Sequence, residues 1–180
     1  MRFAIAAAAV CLAFSACAQP SNVEHTAVAP PAYRFTLPDQ NGKPVTVGQP
    51  NAPAALYFGF THCKDICPQT IQKIERARKL AHLTPQQLRI VMVTVDPARD
   101  TRDALKAFIA KTGVDASALT GTSRQLHSIY RAYGVVIAPQ KGGDLGHTDY
   151  VYLIDHNGRL PQVFSSDTAA NAVAQRLSRL

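Results

Sequence analysis

Two continuous apolar runs constrain the fold of this chain more than any other feature. They are AALYFGF at residues 54–60 and LRIVMVTV at residues 88–95. A short run of this kind, rich in aromatic and β-branched residues, is typical of a strand that is covered on both faces. The two runs therefore predict the centre of a buried sheet.

The segments around these runs predict helices, turns and further strands. Between the runs, Ile71, Ile74 and Ala81 follow helical spacing after Pro68. Elsewhere the patterns predict a hairpin turn at Asn41-Gly42, helices over DALKAFIAKTG (capped by Asp100 or Thr101) and SRQLHSIYRAYG, strands over YVYLID and LPQVF with a turn at His156-Asn157-Gly158, and a last helix from Asp167. Strands that alternate with helices, closed by a hairpin and a helix, predict one α/β domain. The order of elements matches a thioredoxin-like three-layer fold with a central mixed sheet and flanking helices.

The N-terminus has the layout of a secretory signal. Arg2 precedes an apolar run from Phe3 to Phe14, which is too short to span a bilayer as a mature helix. The sequence Phe14-Ser15-Ala16-Cys17 resembles a lipoprotein box, although the small residues around Cys17 also fit ordinary cleavage. We expect a lipid anchor at Cys17 and export to the periplasmic face of a bacterial membrane. The predicted organisation is a signal at 1–17, a flexible Pro- and Ala-rich tether at 18–33 and a folded domain at 34–180.

The charge distribution argues against nucleic acid as a partner. The formal net charge is +7 over 180 residues, but the basic residues are scattered, as in ERARK and TSRQL. No basic stripe with interleaved aromatics is visible, as a nucleic-acid groove would need. An anionic membrane or an acidic protein remains as a partner to consider, and the generally basic surface of a soluble monomer is the simplest interpretation.

The stretch FTHCKDICPQT, residues 60–70, carries the two cysteines of the folded domain. Cys11 and Cys17 belong to the signal region, so only Cys63 and Cys67 remain. They lie where a predicted strand ends and a helix begins, and both the helix dipole and Lys64 favour thiolate there. Residues four apart share one helical face, so the two sulfurs converge if the first turn includes both.

Three roles are open for this pair: a structural staple, a redox pair or a metal clamp. A disulfide that closes so short a loop stabilises a domain by only about 2 kcal/mol, which makes the staple the weakest of the three. The C-x-x-x-C spacing differs from the C-x-x-C of thioredoxins, so redox catalysis does not follow directly. In an exported compartment the pair is oxidised unless a reductant or a metal prevents it.

A metal site needs a third ligand, and His147 is the strongest candidate. It ends the glycine-rich segment QKGGDLGH and begins a predicted strand, so a flexible hairpin can swing it over another strand's carboxyl end. Taken alone, such a histidine is more often structural than a ligand. The other histidines of the domain lie in predicted helices or in a turn, or adjoin a cysteine and point elsewhere: His82, His127, His156 and His62.

Three motifs, in this order, resemble the Sco/SenC family. They are FGFTHCKDICP at 58–68, VTVDPARDT at 93–101 and H-x-x-x-x-YLID from His147. The resemblance implies a thioredoxin-like, membrane-anchored copper protein that serves assembly of the copper site in cytochrome c oxidase. By position, it implies that copper, as Cu(I) or Cu(II), is held by Cys63, Cys67 and His147. The implied partner is the copper-receiving subunit of the oxidase, with a thiol reductase or another copper chaperone as a further partner.

Two positions depart from the pattern that is usual in that family. Lys64 stands where proline is usual, and Gly146 where aspartate is frequent. Both departures can alter redox potential or copper affinity, and neither removes a ligand. Asp96 and Arg99 are expected near the cysteines, where they can tune charge, although Asp96-Pro97 is equally explained as a strand-ending turn.

The chemistry of the three side chains agrees with the resemblance. Two thiolates and an imidazole suit copper in either oxidation state, whereas a closed structural zinc site needs four protein ligands. The favoured function is therefore an exported copper metallochaperone. The alternative is a thiol–disulfide oxidoreductase that reduces partner cysteines with Cys63 and Cys67 as its catalytic pair, so whether the protein is an enzyme stays open. A peroxidase is disfavoured, because Ala55-Leu56-Tyr57 stand where the proline region of the P-x-x-x-[TS]-x-x-C pattern would begin.

Overall fold

The computed structural model describes residues 30–140 and 145–180. The predicted signal and most of the predicted tether therefore lie outside the described residues. The strands are β1 Phe35–Pro38, β2 Pro44–Val47, β3 Ala54–Gly59, β4 Arg89–Thr94, β5 Ser117–Leu119, β6 Ile137–Pro139, β7 Leu145–His147, β8 Tyr150–Ile154 and β9 Gln162–Ser165. The helices are α1 Ile66–Leu80, α2 Arg102–Thr112, α3 Ser123–Tyr133 and α4 Ala170–Leu177.

The two apolar runs form the centre of a five-stranded mixed sheet. The strand order is β5-β4-β3-β8-β9. β3 pairs in parallel with β4, and β4 with β5, whereas β8 is antiparallel to both β3 and β9. All of β3 is buried, and so is all of β4 except Arg89, which confirms the prediction of strands covered on both faces.

Helices cover both faces of this sheet, because successive β3 side chains point to opposite sides. On one side the Phe58 ring lies 6.1 Å from that of Tyr130 and 5.7 Å from that of Tyr133, both in α3. On the other side, a Cβ added to Gly59 would lie 3.3 Å from Cys67 Sγ, in α1. α1 in turn packs against α2 and α4. The predicted three-layer, thioredoxin-like arrangement is confirmed.

α1 differs from the prediction at both ends. It begins at Ile66 rather than after Pro68, and proline is tolerated because the first-turn N–H groups have no intrahelical partner. It ends at Leu80, and His82 lies beyond it in a left-handed conformation with φ 56°, not within a helix. The early start places Cys67 in the first turn of the helix.

The other helix boundaries follow their capping residues. The Thr101 side chain accepts from the backbone N–H of Ala104 at 3.2 Å, so Thr101 and not Asp100 caps α2. α2 and α3 end at Gly113 and Gly134, both in the left-handed conformation, as predicted. α4 begins at Ala170, three residues after the predicted start at Asp167.

Two hairpins stand outside the central sheet. β1 and β2 form one around the predicted Asn41-Gly42 turn, where Gly42 has φ 80°. β6 and β7 form the other, and its connecting residues 141–144 lie outside the described residues. β5, β6 and β7 were not predicted, because three residues are too few to display an alternating pattern. His147 ends β7, and β8 begins only at Tyr150, so the prediction that His147 opens the buried strand is wrong.

The first described residues already lie against the domain. The backbone N–H of Ala32 donates to the Gly158 carbonyl at 3.0 Å, and that of Leu160 donates to the Pro30 carbonyl at 2.8 Å. Residues 30–32, which the sequence assigned to the tether, therefore pair with the turn before β9. In the described part of the chain, every helix is too short or too polar to cross a bilayer.

Candidate metal centre

The two cysteines lie in a tightly held connection between β3 and α1, which we call the cysteine junction (residues 59–67). The backbone N–H of Cys63 donates to the Phe60 carbonyl at 3.3 Å, which closes a turn after the strand. Thr61 donates to the Asp100 carboxylate through both its N–H (3.1 Å) and its hydroxyl (2.6 Å). Asp100, 1% exposed, also accepts from the Thr94 hydroxyl at 2.6 Å. The end of β4 therefore fixes the position of the junction.

The sulfurs converge, although not in the way the spacing suggested. Cys63 lies before the helix, two residues ahead of the N-cap residue Asp65, so the first turn does not include both cysteines. Instead, the backbone N–H of Cys67 donates to Cys63 Sγ at 3.2 Å. Both cysteines are free thiols; Cys63 is half-buried, whereas Cys67 is fully buried.

This difference in environment separates the acidities of the two thiols. The pKa of Cys63 is lowered to about 6, first because the Cys67 side chain donates to its sulfur, and further by the backbone N–H groups of Cys67 and Asp65 and the nearby His147. Partial burial opposes this. The pKa of Cys67 is raised, because its proton is held by Cys63 and because it is buried. Cys63 is thus the thiolate of the pair and Cys67 the proton donor to it.

A buried tyrosine connects Cys67 to the segment that follows His147. The Tyr57 hydroxyl lies 3.6 Å from Cys67 Sγ and 3.0 Å from Asp149 Oδ1. One hydroxyl carries one proton, so it donates either to the sulfur or to the carboxylate. Burial is the main reason why the pKa of Tyr57 is raised, so the phenol stays neutral. Asp149 also accepts from the Ser166 hydroxyl, which joins this group to the end of β9.

Sequence reasoning did not single out Tyr57 or Asp149. Tyr57 reads as one more member of an apolar run, and Asp149 is separated from it by 92 positions along the chain. No local pattern connects them, because the contact arises only when β3 and the segment before β8 are brought together.

His147 approaches the same edge from the second hairpin, β6 and β7, which we call the histidine hairpin. Its ring lies edge-on to those of Phe60 (5.8 Å between centroids) and Tyr57 (6.2 Å). Its Nδ1 lies 2.9 Å from the Thr148 carbonyl, which can only accept, so Nδ1 carries the proton and Nε2 keeps its lone pair. A metal-binding histidine is commonly oriented by such a bond.

The three predicted ligands lie at one edge of the sheet without forming a closed cluster. Within the described ranges, the sulfurs of Cys63 and Cys67 and a ring nitrogen of His147 do not all lie within 4.8 Å of one another. The two cysteines are in contact, since the Cys67 N–H donates to Cys63 Sγ, and the imidazole lies beside them without closing the group. Two soft sulfur donors and one imidazole nitrogen can hold a thiophilic ion such as Cu(I), Cu(II) or Zn²⁺.

A different group of side chains does meet that distance: His62, Asp96 and Asp100. Its carboxylates are already engaged, however. Asp100 accepts from Thr61 and Thr94, and Asp96 forms an ion pair with Arg99. His62 is exposed, with Nδ1 4.0 Å from Asp100. We interpret this group as the structural support of the junction. It places Asp96, with its partner Arg99, beside His62 and just after the end of the neighbouring strand β4, as expected.

The remaining histidines lie elsewhere. His82 follows the end of α1, exposed His127 lies on α3, and His156 bonds to the Leu180 carbonyl at 2.8 Å.

Comparisons with known proteins identify the family and agree with the fold. A family model described as SCO1/SenC matches residues 23–180. The SCO2-like protein of Rickettsia prowazekii is 32% identical over 148 residues, 78% of this chain and 72% of the relative. A putative copper-binding protein of Stutzerimonas stutzeri is 35% identical over 132 residues, 72% of this chain and 62% of the relative. The solved structure of Bradyrhizobium japonicum ScoI with copper bound is 29% identical with a TM-score of 0.71, covering 82% of this chain and 98% of that one. The chain belongs to the SCO1/SenC family.

Proposed function

We propose that this protein is an exported copper metallochaperone that delivers copper to the copper site of cytochrome c oxidase during assembly. The observation that carries the proposal is the meeting of a thiolate, a buried thiol and an imidazole with a free Nε2 at one edge of the sheet. The copper-bound ScoI and the putative copper-binding relative support copper as the ion. The resemblance to Sco/SenC proteins supports the oxidase as the recipient.

The proposed ligands are Cys63, Cys67 and His147, for copper as Cu(I) or Cu(II). Thiolate sulfur and imidazole nitrogen serve both oxidation states. Three ligands leave the coordination shell incomplete, so a recipient's ligand can enter before the ion leaves. The half-buried Cys63 is the ligand that an incoming group reaches first, because Cys67 is fully buried.

The redox state of the cysteine pair would control loading. Metal binding requires free thiolates, and a Cys63–Cys67 disulfide occupies both sulfurs. We expect the reduced protein to bind one copper per monomer and the oxidised protein to bind little. Copper content after gel filtration, measured alongside free thiols, checks this; equal uptake before and after reduction contradicts the assignment.

The alternative function is reduction of the recipient's cysteines by the same pair. One observation favours it as a second candidate: a half-exposed thiolate beside a buried thiol is the arrangement that thiol–disulfide exchange needs. The comparisons do not favour it over copper binding. The two functions differ in their need for His147, because exchange chemistry requires no imidazole.

Replacing His147 therefore separates the two functions. We expect His147→Ala to cycle normally between dithiol and disulfide, and to lose Cu(II) affinity by more than about a hundredfold, since even outer-shell partners cost up to that. Competition titration against a chelator of known affinity measures the loss. His127→Ala, on the exposed face of α3, is the matched control and should bind copper normally.

Oxidase assembly in cells then decides between copper delivery and reduction of the recipient's cysteines. If copper delivery is the function, assembly fails with His147→Ala and with Cys63→Ser at normal protein levels. If assembly survives His147→Ala but not Cys63→Ser, the reductase function is the correct one.

We further propose that the mature protein is anchored in the membrane through a lipid on Cys17, with residues 18–29 as a tether, since residues 30–32 already pair with the domain, and with the domain acting as a monomer on the periplasmic side. The motif Phe14-Ser15-Ala16-Cys17 supports this. Labelled palmitate should enter the wild type and not Cys17→Ser. A mature protein that begins at Gln19 would rule the anchor out.

A further inference from the structure

A cleft beside the cysteine junction is lined by Cys63 but by neither Cys67 nor His147, the other two proposed copper ligands. It has a volume of about 540 Å³ and lies between the junction and α2. Cys63 and Lys64 line one side, and Phe108 and Lys111 of α2 line the other. Small-molecule sites commonly measure about 300–1,000 Å³, so the cleft can hold a ligand the size of a short peptide.

The charges of the cleft define what it can hold. No Asp or Glu is among its described lining residues, whereas Lys64 and Lys111 both are. Both lysines are exposed, and neither forms a hydrogen bond or an ion pair within the part of the chain that the structure describes. Two unpaired ammonium groups around a partly apolar cleft favour an anionic ligand.

Only one of the two sulfurs faces this cleft. Cys63 lines it, whereas Cys67 is fully buried, with its sulfur near Gly59 and the Tyr57 hydroxyl. A reactive group bound in the cleft therefore meets Cys63 first. The chemistry that matches an anionic ligand beside this sulfur is that of a thiol which also carries carboxylates.

We propose that the cleft binds a low-molecular-weight thiol bearing carboxylates, and that this thiol reduces the Cys63–Cys67 disulfide. The inference rests on the proposed function in one respect, namely that copper loading requires the reduced pair. Lys64 and Lys111 hold the carboxylates, and the thiol group of the ligand lies against Cys63. This assigns a binding site for the reductant, which neither the copper ligands nor the oxidase partner provides.

The reaction consumes two thiols and transfers two electrons. The first ligand thiolate attacks Cys63 Sγ, the disulfide bond breaks, and its electron pair passes to Cys67 Sγ, which takes up a proton. A second ligand thiolate then attacks the ligand sulfur of the mixed disulfide and releases Cys63 as a thiolate. The backbone N–H of Cys67, 3.2 Å from Cys63 Sγ, stabilises that leaving thiolate. The products are the protein dithiol and one symmetrical disulfide of the ligand.

The test uses two thiols that differ in charge and share the reacting group. Glutathione carries two carboxylates, and its diethyl ester carries none. The oxidised full-length protein is mixed with each, and the second-order rate constant of reduction is measured from the loss of the disulfide. We expect glutathione to react about tenfold faster than the ester in the wild type, and this preference to fall at high salt.

Variants of the two lysines then test whether the cleft causes the preference for glutathione over its ester. Lys64→Gln combined with Lys111→Gln should lower the glutathione-to-ester ratio about tenfold, because two cations are removed from the cleft. Lys43→Gln combined with Lys106→Gln is the matched control: it also removes two charges, from exposed lysines that do not line this cleft. A ratio that is unchanged in the double variant, or that falls equally in the control, overturns the proposal.

A copper measurement keeps this result separate from the proposed function. Lys111→Gln alone, which changes no residue of the cysteine junction, should bind copper like the wild type after reduction with dithiothreitol (which has no charge). If it does so while its glutathione-to-ester ratio falls, the reductant site is supported. If the wild type itself fails to bind copper after this reduction, the proposed function fails, and the ratio of reduction rates still decides whether the cleft selects an anionic thiol.

Discussion

The cysteine junction and the histidine hairpin supply the proposed ligands from two very different surroundings. The junction follows a fully buried strand, and a carboxylate that is 1% exposed holds it through hydrogen bonds from Thr61 and Thr94. Across residues 137–139 and 145–147, the hairpin shares no strand pairing with the central sheet, and the residues of β7 are only half-buried. The backbone N–H of Thr148, just after the hairpin, donates to the carbonyl of Val136, just before it, at 3.0 Å.

The difference shows how one site can be both preformed and open. The sulfurs are positioned by the core of the fold, so they are ready before any ion arrives. The imidazole belongs to a peripheral unit, which local unfolding reaches more easily than it reaches a buried strand. The proposed delivery of copper needs both properties, because the protein would have to hold an ion and also release it.

The largest expected effect tests whether Asp100 holds the junction. Asp100→Ala leaves the Thr61 N–H and two hydroxyls without their acceptor, which should lower the free energy of unfolding by about 3 kcal/mol. Urea denaturation measures it. Asp103→Ala, an exposed acidic residue in the first turn of α2, is the control and should cost about 0.5 kcal/mol. Equal effects would mean that the junction is not held in this way.

Replacing glycine by alanine should lower the free energy of unfolding more in the cysteine junction than in the histidine hairpin. A Cβ on Gly59 would lie 2.8 Å from the Tyr57 ring and 3.3 Å from Cys67 Sγ, so Gly59→Ala should destabilise the domain by about 2 kcal/mol. A Cβ on Gly146 would lie 2.5 Å from the flexible amide end of Gln140, so Gly146→Ala should cost less than about 0.5 kcal/mol. Thermal unfolding of the two variants gives the comparison, and a larger cost for Gly146→Ala would contradict it.

The smallest expected effect concerns reactivity rather than stability. In the reduced, metal-free protein, the thiolate fraction of Cys63 should rise as pH passes upward through about 6 and level off above it. The rate of alkylation by iodoacetamide should follow this curve, while Cys67 stays unreactive until the protein is denatured. His147→Ala should move the midpoint slightly upward, because the electrostatic contribution of His147 that lowers the pKa of Cys63 is lost. A midpoint near that of an ordinary thiol would show that the junction does not favour the thiolate.

Part of this organisation could be read from the chain alone. The two central strands, the ends of α2 and α3 and the fold class depend on apolar patterning and on capping residues such as Thr101 and Gly113, which act over a few positions. Cys63, Cys67 and His147 stood out because three motifs occurred together in order, and the structure brings all three to one edge.

Other features depend on contacts between distant segments, which no local pattern encodes. The start of α1 at Ile66 places Cys63 outside the helix, so the sulfurs meet through a backbone N–H and not along a helical face. The Tyr57–Asp149 bond, the burial that separates the two thiol acidities and the lysine-lined cleft all arise only when the sheet assembles. The sequence by itself determined the helices, the longer strands and the residue types that the site contains, because those follow from side-chain size, polarity and spacing. Only the tertiary structure decided which sulfur is exposed and which group faces it, because burial and electrostatics depend on neighbours far away along the chain.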